Sequence, residues 1–219
     1  MRNRIGVFGA GALGREIYFM LRDQDYREED IFFIVDNGSD IQSNGKNFDV
    51  ISSHEIAALP SGMPLVIALG DPQKRKLVAL ALNEYQVKLA HIIDRTALIR
   101  GEVKIEKGVV VSALSIISDG STIAANVFIN SSTVIGHDVV IGENSSISSQ
   151  VNIGGRCKIG ENVFIGSGAK VRDGTTIGDN AIISAGSVVL QNIQPDVVAL
   201  GNPAKPIAVN LRKSPFQES

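Results

Sequence analysis

The sequence predicts two unlike parts: an α/β Rossmann-like subdomain over residues 1–90 and an all-β parallel β-helix over residues 91–207, followed by a C-terminal tail at 208–219. Three observations predict this. A glycine-rich turn, Gly9-Ala10-Gly11-Ala12-Leu13-Gly14, follows an apolar run near the N-terminus. From Ile93 onward an aliphatic β-branched residue recurs at every sixth position. The aromatic residues also divide, since Tyr18, Tyr26 and Tyr85 all precede residue 90 whereas residues 93 to 189 hold only Phe128 and Phe164.

The first part alternates strand and helix. Arg4 to Phe8 reads as a strand, the glycine turn follows, and a helical stretch runs to about Arg22. A second strand, Ile31 to Val35, ends at Asp36. A third, Leu65 to Leu69, ends at Gly70-Asp71-Pro72 and leads into a helix from about Gln73 to Asn83. That order argues a small parallel sheet flanked by helices. Residues 37 to 62 are polar and irregular and receive no element. In the turn, Gly9 permits the tight reversal, Gly11 lets a phosphate approach the backbone, and Gly14 lets the helix pack closely on the strand. The helix N-terminus attracts the anion, and Asp36 can accept hydrogen bonds from a ribose or a base. The same glycines would serve a turn that only packs, with Asp36 capping a strand, and both readings stand. About ninety residues are too few for the two βαβαβ halves of a dinucleotide fold, so a mononucleotide or nucleotide-sugar fits better than NAD.

In the second part, every sixth residue from Ile93 to Val189 is Ile or Val, seventeen positions without exception. The position four residues after each of the first sixteen is always small or β-branched, from Ala97 and Val103 to Ala181 and Ser187. A parallel β-helix explains both columns, because short strands turn at fixed intervals and the same positions point into a narrow bore. Cys157 falls in the small column, which makes it a buried filler rather than a nucleophile. The period and its columns resemble the left-handed β-helix of hexapeptide-repeat proteins, in which three strands make an eighteen-residue coil. The hand comes from that resemblance, since right-handed crossovers are the general rule. Coils stack at about 4.8 Å, so residues eighteen apart become neighbours.

Composition narrows the function. Lys plus Arg is 21 and Asp plus Glu is 23, a net charge of −2 that offers no basic surface to a nucleic acid. The single cysteine cannot form an internal disulfide. The first apolar stretch is glycine-rich and closed by Arg15-Glu16, unlike a signal peptide, and no apolar run has the length to span a bilayer. The expectation is a soluble cytoplasmic protein without membrane insertion.

Of three histidines, His54, His91 and His137, only His137 lies within the six-residue repeat of the β-helix. It is two places after an inward residue, at the edge of a strand, and Asp138 beside it can hold the ring in one tautomer. Eighteen residues on is Gly155, which brings no side chain and offers a backbone N–H beside the imidazole. A base next to such a donor can deprotonate an attacking group while the donor holds a tetrahedral oxyanion, the outline of an acyl-transfer site.

Taken together, Gly9-Ala10-Gly11 with Gly14-Arg15-Glu16, Phe128-Ile129-Asn130, Gly136-His137-Asp138-Val139-Val140-Ile141-Gly142, Asn152-Ile153-Gly154-Gly155 and Gly201-Asn202-Pro203-Ala204-Lys205 resemble the sugar acetyltransferase family. This family includes the sialic-acid O-acetyltransferases and the nucleotide-amino-sugar N-acetyltransferases of the bacillosamine and perosamine pathways. The match runs from about residue 4 to residue 207. The resemblance implies a homotrimer with active sites between adjacent β-helices, acetyl-CoA as cosubstrate along the helix surface, a nucleotide-sugar acceptor on the N-terminal subdomain, and no metal. By position, His137 would be the general base and Asp138 its orienting partner. Asn130, Gly9, Gly11, Asp36 and Gly70 would contact the acceptor. Gly155 would face the thioester carbonyl, and Gly201, Asn202 and Lys205 would lie near the nucleotide end of CoA. Leu13 and Ser146 depart from the family, whose bacillosamine-type members often carry His at both places, so the choice between amine and hydroxyl acceptor stays open.

Three other readings compete. A zinc hydratase on a β-helix needs several converging histidines, and this repeat is poor in them. A non-catalytic, nucleotide-sugar-binding solenoid would present the Ser- and Asn-rich outer positions as a plain solvated face. The N-terminal subdomain could instead sense a nucleotide or serve NAD chemistry.

Overall fold

A computed structural model describes residues 4–36, 42–43, 46–211 and 214–215. Strands β1 (Ile5–Phe8), β2 (Ile31–Val35), β3 (Val50–Ser52), β4 (Pro64–Ile67) and β5 (Lys88–Leu89) form one parallel sheet in the order β3-β2-β1-β4-β5. Their continuous apolar runs are buried on both sides, as a central parallel sheet requires. Helix α1 (Ala12–Asp23) follows β1 and α2 (Pro72–Leu82) follows β4. Pro72 opens α2 and Asp71 caps it, accepting from Gln73 N at 2.8 Å and Lys74 N at 3.2 Å.

Two strands of this sheet lay outside the sequence expectation. β3 falls within the unassigned 37–62 stretch and is followed by a 3-10 helix, Ser53–Ala58, with a Ser52/Glu55 capping box. β5 is two residues long and gives no periodicity to detect.

From Ile92–Ile93 to Val188–Val189 the chain makes two-residue strands at six-residue intervals on three faces. Face 1 carries pairs such as Val110–Val111, Phe128–Ile129 and Ser146–Ile147, face 2 pairs such as Val134–Ile135 and Asn152–Ile153, and face 3 pairs such as Val140–Ile141 and Lys158–Ile159. Val110 pairs with Phe128 and Phe128 with Ser146, so each coil takes eighteen residues. The hexad column is fully enclosed from Val111 upward, while Ile93, Ile99 and Ile105 are only partly buried because no coil lies beneath them. Serine and threonine fit the bore by donating to backbone carbonyls fifteen residues ahead: Ser115 to Asn130, Thr133 to Ser148, Ser145 to Gly160, each at 2.9 Å.

Val197–Gly201 adds a parallel rung to Ile182–Ile183 on face 1, and Ala204–Val209 returns antiparallel along it. Ordered strand therefore continues past residue 207, where a tail was expected. Asn210 is buried there and donates from Nδ2 to Asn180 O at 2.7 Å, closing the last corner.

The two parts share a core. Ile17, Tyr18 and Leu21 of α1 pack with Ile92, Val110 and Phe128 of face 1. Arg75 of α2 is fully buried and donates to Asn126 O from Nε (2.8 Å) and Nη2 (2.6 Å), and to Ile67 O and Leu69 O from Nη1 (both 2.9 Å). Burial pushes this guanidinium down to about 9, so it remains charged at neutral pH.

Candidate active site

His137 stands on the edge where face 2 turns into face 3, between Val134–Ile135 and Val140–Ile141. Its backbone is fixed by ladder bonds on either side, Gly136 N to Ile153 O at 2.8 Å and Asp138 N to Asp119 O at 3.0 Å. Asp138 takes the left-handed corner conformation, φ 57°, which asparagine and aspartate tolerate better than bulkier residues. Its Oδ2 lies 2.7 Å from His137 Nδ1. A carboxylate only accepts, so the proton sits on Nδ1 and the lone pair on Nε2.

Gly155 lies directly under the ring. A Cβ added there would fall 2.5 Å from His137 Nε2. The ring packs where the Gly155 Cβ would stand, and Gly155 is buried, because stacked coils are too close for anything but glycine under an imidazole. Among the described residues the Gly155 N–H makes no backbone hydrogen bond. Gly155→Ala should therefore displace the ring and lower kcat by about 100-fold with little change in melting temperature, read by thiol release and a thermal melt.

Two side chains beside His137 were not singled out from the sequence. Arg156 Nη1 lies 3.4 Å from Nε2, and Arg156 Nη2 lies 2.8 Å from Asp173 Oδ2. The eighteen-residue spacing could have found Asp173, which is two coils above His137. Cys157, one residue beyond Arg156, is buried and its Sγ contacts Arg172 O at 3.1 Å. Burial pushes its thiol up, the opposite of what a nucleophile needs.

The other expected residues gather elsewhere. Gly70 and Asn130 line one cleft of about 370 Å³ between the N-terminus of α1 and face 1, with Leu13, Ser146, Phe128 and Phe164 among its walls. Asn130 Oδ1 accepts from Ser131 N at 2.7 Å. Ser146 is nearly fully buried, and its hydroxyl has no hydrogen-bond partner among the described residues. Gly9 and Asp36 line a second cleft of about 410 Å³ at the C-terminal ends of β1 and β2, where Lys74 supplies a cation. Gly9 has φ 102°, the left-handed region that the turn demands, and Gly14 packs against its carbonyl oxygen. Gly11 caps α1 and is exposed. Gly201, Asn202 and Lys205 sit at the hairpin on the last coil, about three coils or roughly 14 Å along the axis from His137. His137 thus lies on a different edge of the prism from the cleft holding Asn130. Among the described residues no group of three His, Cys, Asp or Glu is placed to hold a metal, and no helix is long and apolar enough to cross a membrane.

Comparison with known proteins agrees with this architecture. The PglD N-terminal domain family matches residues 4–82, and the bacterial transferase hexapeptide family matches residues 120–155 and 156–191. No curated protein sequence matches the chain. The acetyltransferase domain of PglB from Neisseria gonorrhoeae FA1090 is 28% identical, with a TM-score of 0.87 over 94% of this chain and 100% of that one. WeeI from Acinetobacter baumannii AYE is 25% identical, with a TM-score of 0.85 over 93% of this chain and 99% of that one. A mutant perosamine N-acetyltransferase from Caulobacter crescentus, in complex with CoA and GDP-perosamine, is 24% identical and shares the fold, with a TM-score of 0.87 over 95% of this chain and 98% of that one. The chain thus joins a segment that matches the PglD N-terminal domain to hexapeptide-transferase repeats, and over nearly its whole length it is similar to the acetyltransferase domain of PglB, which shares that combination.

Proposed function

We propose that this protein transfers the acetyl group of acetyl-CoA to a nucleotide-linked sugar, with His137 as general base. The observation that carries the reading is the imidazole itself: half-exposed, seated on Gly155 and paired through Nδ1 to Asp138, which leaves the lone pair on Nε2. The PglB acetyltransferase domain has been solved with acetyl-CoA bound, which supports the cosubstrate. GDP-perosamine in the Caulobacter enzyme supports the class of acceptor.

The acceptor's amine or hydroxyl attacks the thioester carbonyl carbon and gives its proton to Nε2. The resulting oxyanion takes a hydrogen bond from the Gly155 N–H. The C–S bond then breaks, the acetyl group stays on the acceptor, and the CoA thiolate recovers the proton from the imidazolium. Asp138 keeps the imidazolium oriented and compensates its charge. Gly9, Gly11 and Asp36 hold the nucleotide of the acceptor, Gly70 and Asn130 its sugar, and Gly201, Asn202 and Lys205 the nucleotide end of CoA.

On one chain the Asn130 cleft and His137 lie on different edges. A complete site therefore requires the cleft of one protomer against the His137 edge of another, which a trimer with three intersubunit sites provides. Most of the acceleration then comes from holding both substrates in reactive geometry across that boundary. Incubation with acetyl-CoA and UDP-, GDP- and dTDP-linked sugars, amino and hydroxyl forms together, should give one product 42 Da heavier, a mass gain of about that of an acetyl group for a hydrogen. An NMR spectrum of that product identifies the acetylated atom, and no product with any sugar would defeat the reading.

A further inference from the structure

The groups stacked around His137 on its edge are Asp138, Gly155, Arg156 and Asp173, and the proposed chemistry leaves the last two without a task. Arg156 faces Nε2 at 3.4 Å and is itself held by Asp173 at 2.8 Å, while its backbone N–H donates to His137 O at 2.8 Å. A guanidinium has donors only, so the ring nitrogen it faces must present a lone pair. Asp138 thus engages the protonated side of the ring and Arg156 the unprotonated side.

Two opposed contacts have a purpose here. The side chains of His137 and Asp138 are 52% and 62% exposed, and that of Arg156 is 59% exposed. One hydrogen bond at such exposure competes with water and leaves the ring free to turn about Cβ–Cγ. Contacts on both nitrogens fix its plane, and Asp173 keeps the arginine from swinging away. Glycine beneath the ring leaves room for that fixed position.

We infer that Arg156, tethered by Asp173, is a positioning residue that holds His137 in the Nδ1–H tautomer before the acceptor arrives, and then cedes Nε2 to the acceptor's N–H or O–H. This rests on His137 being the base. A contact of 3.4 Å is at the long, weak end of the hydrogen-bond range, so a closer donor displaces it readily.

Nitrogen-15 spectra of the full chain, labelled at its three histidines, read the tautomer without any substrate, with His137→Asn identifying the relevant signals. The wild type should show His137 protonated on Nδ1. Arg156→Ala should show a mixture of tautomers, and Arg156→Lys should restore most of the wild-type signal. In turnover with acetyl-CoA and the sugar nucleotide that the wild type acetylates, Arg156→Ala should lower kcat about tenfold with both KM values within about twofold. Asp173→Asn should act in the same direction and less strongly. An unchanged tautomer in Arg156→Ala overturns the inference even where acetyl transfer is established. A raised acceptor KM at unchanged kcat overturns it too, since it places Arg156 on the substrate. Failure of the wild type to acetylate any sugar sinks the transferase reading instead, and the spectra still decide the Arg156 contact.

Discussion

His137→Ala should lower kcat by about 100- to 10,000-fold, the range that a positioned general base contributes, and leave residual transfer from substrate alignment and the oxyanion donor. The reason lies in what remains on that edge. Arg156 and Asp138 are the nearest polar side chains; the first has no lone pair to offer and the second is too weak a base to take a proton from an amine or hydroxyl efficiently. Neither replaces Nε2. Binding should survive, because the clefts that hold Asp36 and Asn130 do not include His137, so the KM for the sugar should move little. Stability should survive too, since the ring is half-exposed and its loss uncovers only Gly155. Thiol release, a thermal melt and a sizing column on the same preparation check all three. Wild-type turnover in the variant would mean that the base is elsewhere.

The second large effect concerns stability. Arg75→Leu should cost about 3 kcal/mol, from buried carbonyls left without donors at roughly 1–3 kcal/mol each, offset by relief of the guanidinium's own desolvation. For a chain of this size that corresponds to a drop in melting temperature of about 6–12 °C. The residue supplies donors from Nε, Nη1 and Nη2 to carbonyls on β4, the turn after it and the Asn126 corner of the β-helix. Arg75→Lys should rescue little, because one ammonium cannot reach all three carbonyls in the plane that the guanidinium spans. A chemical or thermal denaturation series on the two variants checks this. A lysine variant as stable as the wild type would show that charge rather than the fork matters.

Much of the architecture was readable because it rests on short-range repetition. The Ile/Val column needs no knowledge of distant residues: a six-residue period with a narrow bore forces it, and Val111 to Val189 are buried as that geometry requires. The glycine turn and the β1-α1 pairing were legible for the same reason. His137 could be singled out because it is the one histidine in the repeat, with Asp138 beside it and Gly155 eighteen residues on. The 37–62 region resisted because β3 is held by pairing to β2 rather than by any local signal. Arg75 resisted more strongly. In sequence it is one of several basic residues at the start of a helix, and only a carbonyl 51 residues away makes it a junction. Arg156 was hidden by its neighbour, since the eighteen-residue step from His137 lands on Gly155 and the guanidinium reaches the ring from one position further on.

The antiparallel return of Ala204–Val209 also settles how the solenoid ends. A stack of identical parallel rungs is an open template at its last strand, able in principle to recruit a further copy and grow as a fibre does. Here the terminal rung, Val197–Gly201, is already occupied by the returning segment, and Pro206 in that segment has no N–H to offer outward. A register shift at Val198/Ala199 further spoils the match to a straight strand. The same hairpin that is proposed to receive the nucleotide end of CoA therefore also acts as a polymerisation stop, and changes made there to alter cosubstrate choice carry a risk of filament formation.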